Sequence, residues 1–227
     1  MNETEPKEYR VVRSNLNAQV FDILKEMIAD QRFEPGSYIN VEKLTQQLGV
    51  SRTPIWEAIR RLEQEGIVCH TPHKGVRVKE LTRKMALELY EVREVMEALA
   101  ARLAAERVST QAIEEMGKCI EEQTLIVGRE DAVSYSRSDH QFHLLVYRSC
   151  QNDLLREILE GLRYKALPLA FRLAPHFKDF LQLHKQLLQS FVKRDAQGAE
   201  EIMRMHNRLM LDIIRTTPWG VTEEPNA

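Results

Sequence analysis

The chain lacks any apolar run near the ~18 residues that a membrane-spanning helix needs, which excludes a helical membrane protein. Its opening residues, MNETEPKEYR, are polar and acidic and do not read as a secretory leader. Cysteine is scarce: Cys69, Cys119 and Cys150 stand far apart, with no CxxC pair. An odd, scattered set of thiols is no disulfide framework and fits a reducing cytoplasm, the expected location. HExxH, a nucleophile elbow and a phosphate-binding glycine loop are missing, so the usual hydrolytic and nucleotide signatures find no support. Internal repeats and low-complexity segments are also absent. The formal net charge of −2 does not advertise nucleic acid.

What is present is a chain of 227 residues, 43% hydrophobic and 29% charged, enough for one large soluble domain or two smaller ones. Its charge is unevenly placed. Residues 52–79 hold Arg52, Arg60, Arg61, Lys74, Arg77 and Lys79 against Glu57, Glu63 and Glu65. A basic patch on a near-neutral chain fits a small DNA reader joined to an acidic second domain.

The patch overlaps a two-helix pattern. Leu44 and Leu48 mark the buried face of a short helix, and Gly49 can take the left-handed conformation that ends it. Ser51 is placed to cap a second helix, with Pro54 in its first turn, where a missing N–H costs nothing. Ile55, Ala58, Ile59 and Leu62 then repeat at helical spacing. Ser51, Arg52, Thr53 and Trp56 stand at the N-terminal end of that helix, with Arg60 and Arg61 further along. An ordinary helical hairpin has the same spacing, but the polar, basic N-terminus and the flanks favour a DNA-reading helix-turn-helix. Upstream, residues 1–14 read as an arm without periodicity. Leu16, Val20, Ile23, Leu24, Met27 and Ile28 predict a helix that Pro35-Gly36 stops. Downstream, two β-rich runs flank Thr71-Pro72-His73-Lys74-Gly75 and read as a hairpin. Residues 15–79 thus form a winged helix, with His73, Lys74 and Gly75 at a wing tip that can touch DNA.

The run Leu48-Gly49-Val50-Ser51-Arg52-Thr53-Pro54, followed by Glu57-Ala58, Leu62, Glu65-Gly66 and Gly75-Val76, resembles the GntR family of bacterial transcription regulators. The resemblance implies a homodimer and a double-stranded DNA operator as partner. Trp56 is a departure, because the family usually has arginine there. An indole packs or stacks and has a single N–H donor, so operator preference differs or affinity is lower.

After a linker at 80–82 the strand signals cease. Helical patterns run over about residues 82–106, 109–127, 130–149, 152–173, 176–193 and 195–215, the fourth kinked at Pro168. Met85, Leu89, Val92, Met96, Leu99 and Leu103 mark the first helix's apolar stripe. Residues 217–227 read as a tail. The fold class is therefore mainly α: an N-terminal winged helix-turn-helix plus an all-α bundle over 83–216. This order resembles the FadR-like branch of the family, whose helical effector domain is called FCD.

Four polar residues occupy apolar stripes of the bundle. Asp139 and His143, at i and i+4, share a face with Tyr135, Phe142 and Val146. His184 sits among Phe177, Phe180, Leu181, Leu187 and Phe191, and His206 among Ile202, Met203, Met210 and Ile213. A single histidine on such a face is usually a hydrogen-bonded core residue. One carboxylate and three imidazoles together point to a metal, because burial is costly unless such groups are paired or bind an ion. The set suits Zn²⁺, Ni²⁺, Mn²⁺ or Fe²⁺, with zinc or nickel preferred, and leaves coordination positions open. It also matches the metal-binding pattern of FCD domains, and that resemblance implies a small organic acid completing the coordination rather than an acyl-CoA. Arg93 reads either as an anchor for the effector carboxylate or as an ion-pair partner of Glu97 at i+4. His140 and His176 lie off the shared faces and read as surface.

These features predict a cytoplasmic DNA-binding regulator, a repressor, whose operator affinity follows a small carboxylate bound at the metal. The alternative is a metal-dependent enzyme fused to a DNA-binding-like domain, for which no general base beyond the ligands and no catalytic residue is evident. An architectural DNA binder with a structural metal is a third reading.

Overall fold

The computed structural model describes residues 16–29, 32–71, 73–129, 131–166, 169 and 174–218. The expected arm at 1–14, most of the tail and the Pro168 kink lie outside them.

Helix α1 (Leu16–Ala29) packs on α3 (Arg52–Gln64), with the short α2 (Val41–Leu48) between them in sequence. Asn40 caps α2, its side chain accepting from the Lys43 N–H at 2.9 Å. Gly49 ends α2 in the left-handed region (φ 64°), as its position in the sequence predicts. Ser51 holds the N-cap position of α3, but its side chain makes no capping hydrogen bond. Strands β1 (Tyr38–Ile39), β2 (Val68–Thr71) and β3 (Gly75–Val78) form an antiparallel sheet in the order β1-β3-β2. In its register Ile39 and His70 both face Val76 and Val68 faces Val78. Val20, Leu24, Leu44, Ile55, Ile59, Leu62, Val76 and Val78 close one apolar core beneath helices and sheet.

Among the described residues six α-helices follow: α4 (Arg83–Arg107), α5 (Thr110–Val127), α6 (Ala132–Ser149), α7 (Asp153–Ala166), α8 (Phe177–Lys193) and α9 (Ala196–Thr216). Thr82, Ser109, Asp131, Asn152 and Asp195 each accept a backbone N–H at a helix start, which fixes where the turns break. Helix α4 runs along α9, and Arg83 donates to the Arg215 carbonyl, tying the two ends.

One expectation needs correction. On α4 the buried residues are Ala86, Tyr90, Arg93, Glu97, Ala98, Ala100, Ala101, Ala104 and Ala105, whereas Val92 and Leu99 are exposed. Of the bulky residues expected on the stripe, Leu89, Met96 and Leu103 are partly buried against the core, so the stripe flanks the seam rather than forming it. Alanine lets the helices approach closely, and the larger residues border or leave the seam. Helix α7 is described as far as Ala166, and most of the remainder of the expected 152–173 segment lies outside the described residues.

The two halves touch through α7. Tyr164 packs against the winged-helix core, and the seam includes Ile28, Ile67, Val78 and Leu81.

Candidate functional site

Helix α6 carries Asp139 and His143 one turn apart, α8 carries His184 and α9 carries His206. Their apolar faces turn inward, so all four converge at the centre of the bundle and all four are buried. One ligand-type atom from each lies within 4.8 Å of the others. Asp139 Oδ1 is 3.5 Å from His184 Nε2 and 3.8 Å from His143 Nε2, and His184 Nε2 is 3.1 Å from His206 Nε2. The His184 ring also stacks on Phe142, with centroids 4.5 Å apart.

The protonation states follow from the partners. Gln123 Oε1 lies 2.9 Å from His184 Nδ1. A carbonyl oxygen only accepts, so Nδ1 carries the proton and Nε2 presents its lone pair inward. Burial pushes all three imidazoles down, His184 to about 3, His206 to about 4 and His143 well below the usual histidine range. They are neutral at neutral pH, the form that binds metals. Both ring nitrogens of His143 and Nδ1 of His206 have no hydrogen-bond partner despite burial. An orphaned buried polar atom costs about 1–3 kcal/mol, and a cation at the centre would engage His143 Nε2. Three neutral imidazoles and one carboxylate within reach of a common centre fit a divalent transition metal.

Around the four lies a polar shell, of which the sequence reading named only Arg93 and Glu97. Arg163 on α7 donates through Nη2 to Asp139 Oδ2 and through Nε to His140 Nδ1, the latter at 2.9 Å. Burial alone would push the Asp139 carboxyl up, but the Arg163 guanidinium reverses this and holds it below the usual carboxylate range. His140 is half-buried rather than at the surface, and burial with Arg163 beside it lowers it to about 3. His176 is half-exposed and stands 3.7 Å from Asp179. Glu97 is a second hub: Oε1 accepts from Arg93 at 2.8 and 3.1 Å and from the Tyr147 hydroxyl, while Oε2 accepts from Asn207 at 2.7 Å. Burial opposes the Glu97 charge, yet Arg93 foremost among its neighbours brings it down to about 2. Of the two roles open to Arg93, the ion pair with Glu97 is thus formed. Arg163 and Gln123 had a sequence signal: each follows an apolar residue by one turn on a buried face, Leu159 and Ile120.

On the winged helix, Ser51, Arg52, Thr53 and Arg60 are exposed along α3, as are His73 and Lys74 at the hairpin tip. The tip needs left-handed backbone at His73 (φ 64°) and Gly75 (φ 93°). Arg52 meets Glu42 at 3.1 Å in an exposed pair that is weakly held and easily exchanged for a phosphate. Arg61 is engaged elsewhere, over the Phe21 ring at 3.8 Å. Trp56 is half-buried and meets the His70 ring edge-on at 5.2 Å, so it packs between α3 and β2.

Comparison with known proteins agrees with both halves. Residues 16–78 match the family described as bacterial regulatory proteins, gntR family, and residues 88–209 match the FCD domain. The Nta operon transcriptional regulator of Aminobacter aminovorans is 35% identical over 142 residues, 61% of this chain and 67% of that protein. A probable D-xylose utilization operon transcriptional repressor of Paenarthrobacter nicotinovorans is 26% identical over 87% of this chain and 88% of its own. The solved structure of E. coli McbR/YncC covers 89% of this chain and 98% of its own, with a TM-score of 0.82 at 22% identity, and so shows the same fold. Among the described residues no helix is long and apolar enough to cross a membrane. The chain is a transcription regulator rather than an enzyme, and it belongs to the GntR family, in the branch that carries an FCD domain.

Proposed function

We propose that this regulator binds a divalent transition metal, zinc or nickel, through Asp139, His143, His184 and His206, and that a small organic acid completes the coordination and alters operator affinity. The observation that carries the reading is the convergence of four buried ligand atoms within 4.8 Å, three of them on neutral imidazoles, with His143 left unpartnered. When bound, the ion would serve as a Lewis acid that fastens the effector carboxylate. An effector that also used Arg93 would compete with Glu97 for it. Ser51, Arg52, Thr53 and Arg60, with His73, Lys74 and Gly75 of the wing, would meet phosphates and base edges. Trp56 would contribute by packing more than by donating. Two relatives named as operon repressors support repression as the output. A homodimer, reading two half-sites, is supported by the apolar residues Val92, Val95 and Leu99 on α4 and Leu154 and Ile158 on α7, exposed on neighbouring helices. The cytoplasm is the compartment in which such a regulator meets its operator.

Metal analysis of purified protein after zinc or nickel loading tests the reading. One ion per chain is expected, lost in His184→Ala and His206→Ala, both of which still bind the operator, with the affinity of metal-free protein. A wild-type protein that retains no ion sinks the metal reading. Thermal-shift screening of small carboxylates, with and without metal, then identifies the effector class, because a ligand bound only by the folded state raises the melting temperature.

A further inference from the structure

Two consecutive residues of α7 face two different places. Arg163 reaches into the bundle and holds Asp139 Oδ2 and His140 Nδ1. Tyr164 faces the winged helix, where its ring receives Lys25 Nζ at 3.6 Å and joins the apolar core of that domain. The two lines are bridged, since the His140 ring lies 5.5 Å from the Tyr164 ring. Lys25 in turn stands 3.0 Å from Glu65 Oε2, and Glu65 is the C-cap of α3. That last contact is Coulombic, as Glu65 Oε2 has no aligned hydrogen-bond donor. A continuous series of contacts therefore runs from Asp139 to the end of the recognition helix.

The chemistry at the start of the series is directional. Asp139 divides its oxygens, with Oδ2 tied to Arg163 and Oδ1 turned toward His143 and His184. A charge-assisted bond to guanidinium is strong and orients the carboxylate. A carboxylate held at one oxygen draws on its partner when the other shifts toward a cation. Arg163 and Tyr164 are joined by one peptide link within a helix, so the part of that shift that reaches the Arg163 backbone also moves Tyr164. At the far end the ion pair is partly exposed, with Lys25 and Glu65 side chains 13% and 33% accessible, and is weak enough to be remade.

We infer that α7 is the transmission element of this regulator: Arg163 is a positioning residue for Asp139, and Tyr164 passes the state of that carboxylate through Lys25 and Glu65 to the recognition helix. The inference rests on the metal reading above and adds the route by which occupancy is felt.

The test uses full-length protein, zinc alone as the probe, and a DNA fragment selected in vitro for binding to the wild type. Operator Kd is measured by fluorescence anisotropy with zinc-loaded and zinc-stripped protein, and zinc Kd by chelator competition with and without DNA. In the wild type the two operator affinities are expected to differ about 5- to 150-fold, and the two zinc affinities by the same factor, as linkage requires. Tyr164→Ala and Lys25→Met should bring that factor close to 1 while zinc affinity without DNA stays within about threefold of wild type. Lys25→Met, on the winged helix's own surface, keeps the test in force if Tyr164→Ala does not fold. Arg163→Gln should weaken zinc binding by about 10- to 100-fold. Variants at 25 and 164 that keep the wild-type factor overturn the inference. A wild type that binds both zinc and DNA with a factor of 1 overturns the inference and leaves the metal reading standing. A wild type that binds no zinc overturns both.

Discussion

The two halves of this molecule have opposite cores. In the winged helix every described buried residue is apolar. In the helical half the described interior also contains Arg93, Glu97, Gln123, Ser138, Asp139, His143, Ser149, Arg163, His184, Ser190, His206 and Asn207. The difference is one of purpose. A core such as Ile55, Ile59 and Leu62 stabilises by removing methylene groups from water, about 0.8 kcal/mol for each. A buried charge costs several kcal/mol in lost hydration, and even a well-paired ion pair seldom outperforms apolar packing of the same volume. The helical domain therefore gains no net stability from its polar interior that leucines would not also provide. What it gains is a set of chemically specific groups held at defined positions away from water.

This contrast can be broken experimentally, and the largest effect should come from the polar half. Glu97→Ala leaves Arg93 buried without its partner, strands the Tyr147 hydroxyl and leaves the Asn207 amide only the Met203 carbonyl, so urea unfolding should show a loss of about 3–5 kcal/mol. An unchanged unfolding midpoint would mean that the network is not a unit. The same residue sets an acid limb. Glu97 falls to about 2 in the folded chain from its ordinary 4.5, so its contribution is complete above pH 4.5 and is lost as pH falls toward 2. Glu97→Gln should flatten the stability–pH curve over that window, and parallel curves for the two proteins would contradict this.

Smaller effects should come from the winged helix. Arg52→Ala, on an exposed side chain, should cost about 1–3 kcal/mol of operator affinity in a gel shift and leave the melting temperature unchanged, whereas Arg61→Ala, which removes a contact with Phe21, should do more to stability than to DNA binding. Equal losses of DNA affinity would show that the two arginines share a role. Smallest of all, Ile59→Val in the apolar core should cost about 0.5–1.5 kcal/mol and alter neither metal retention nor operator choice. A change in either would mean that the winged-helix core is not the passive support described here.

The winged helix was legible in the sequence because its signals are local. Gly49, Pro35-Gly36 and the wing tip are decided by backbone chemistry within four residues. The buried cluster of Asp139, His143, His184 and His206 was legible for a related reason, since polar residues on apolar stripes stand out at helical spacing. What escaped was set by partners far along the chain. Arg163 meets Asp139 across 24 positions, and no periodicity on α7 names that partner. The buried face of α4 escaped because alanine gives a weak hydrophobic signal, while Val92 and Leu99 give a strong one from the exposed side. His140 read as surface because its burial depends on α7, a neighbour that its own helix does not predict.

Trp56 has a further consequence. Wedged between α3 and the β2 strand, and edge-on to His70, it fastens the reading helix to the wing. If α3 and the hairpin meet the operator as proposed, they would approach the duplex as one piece, with their mutual orientation already fixed and little freedom left to surrender on docking. Where an arginine would add a contact, this indole adds rigidity. It is also a fluorophore beside the proposed DNA-facing surface, so in a Trp219→Phe variant its emission would follow the arrival of an operator without any attached label.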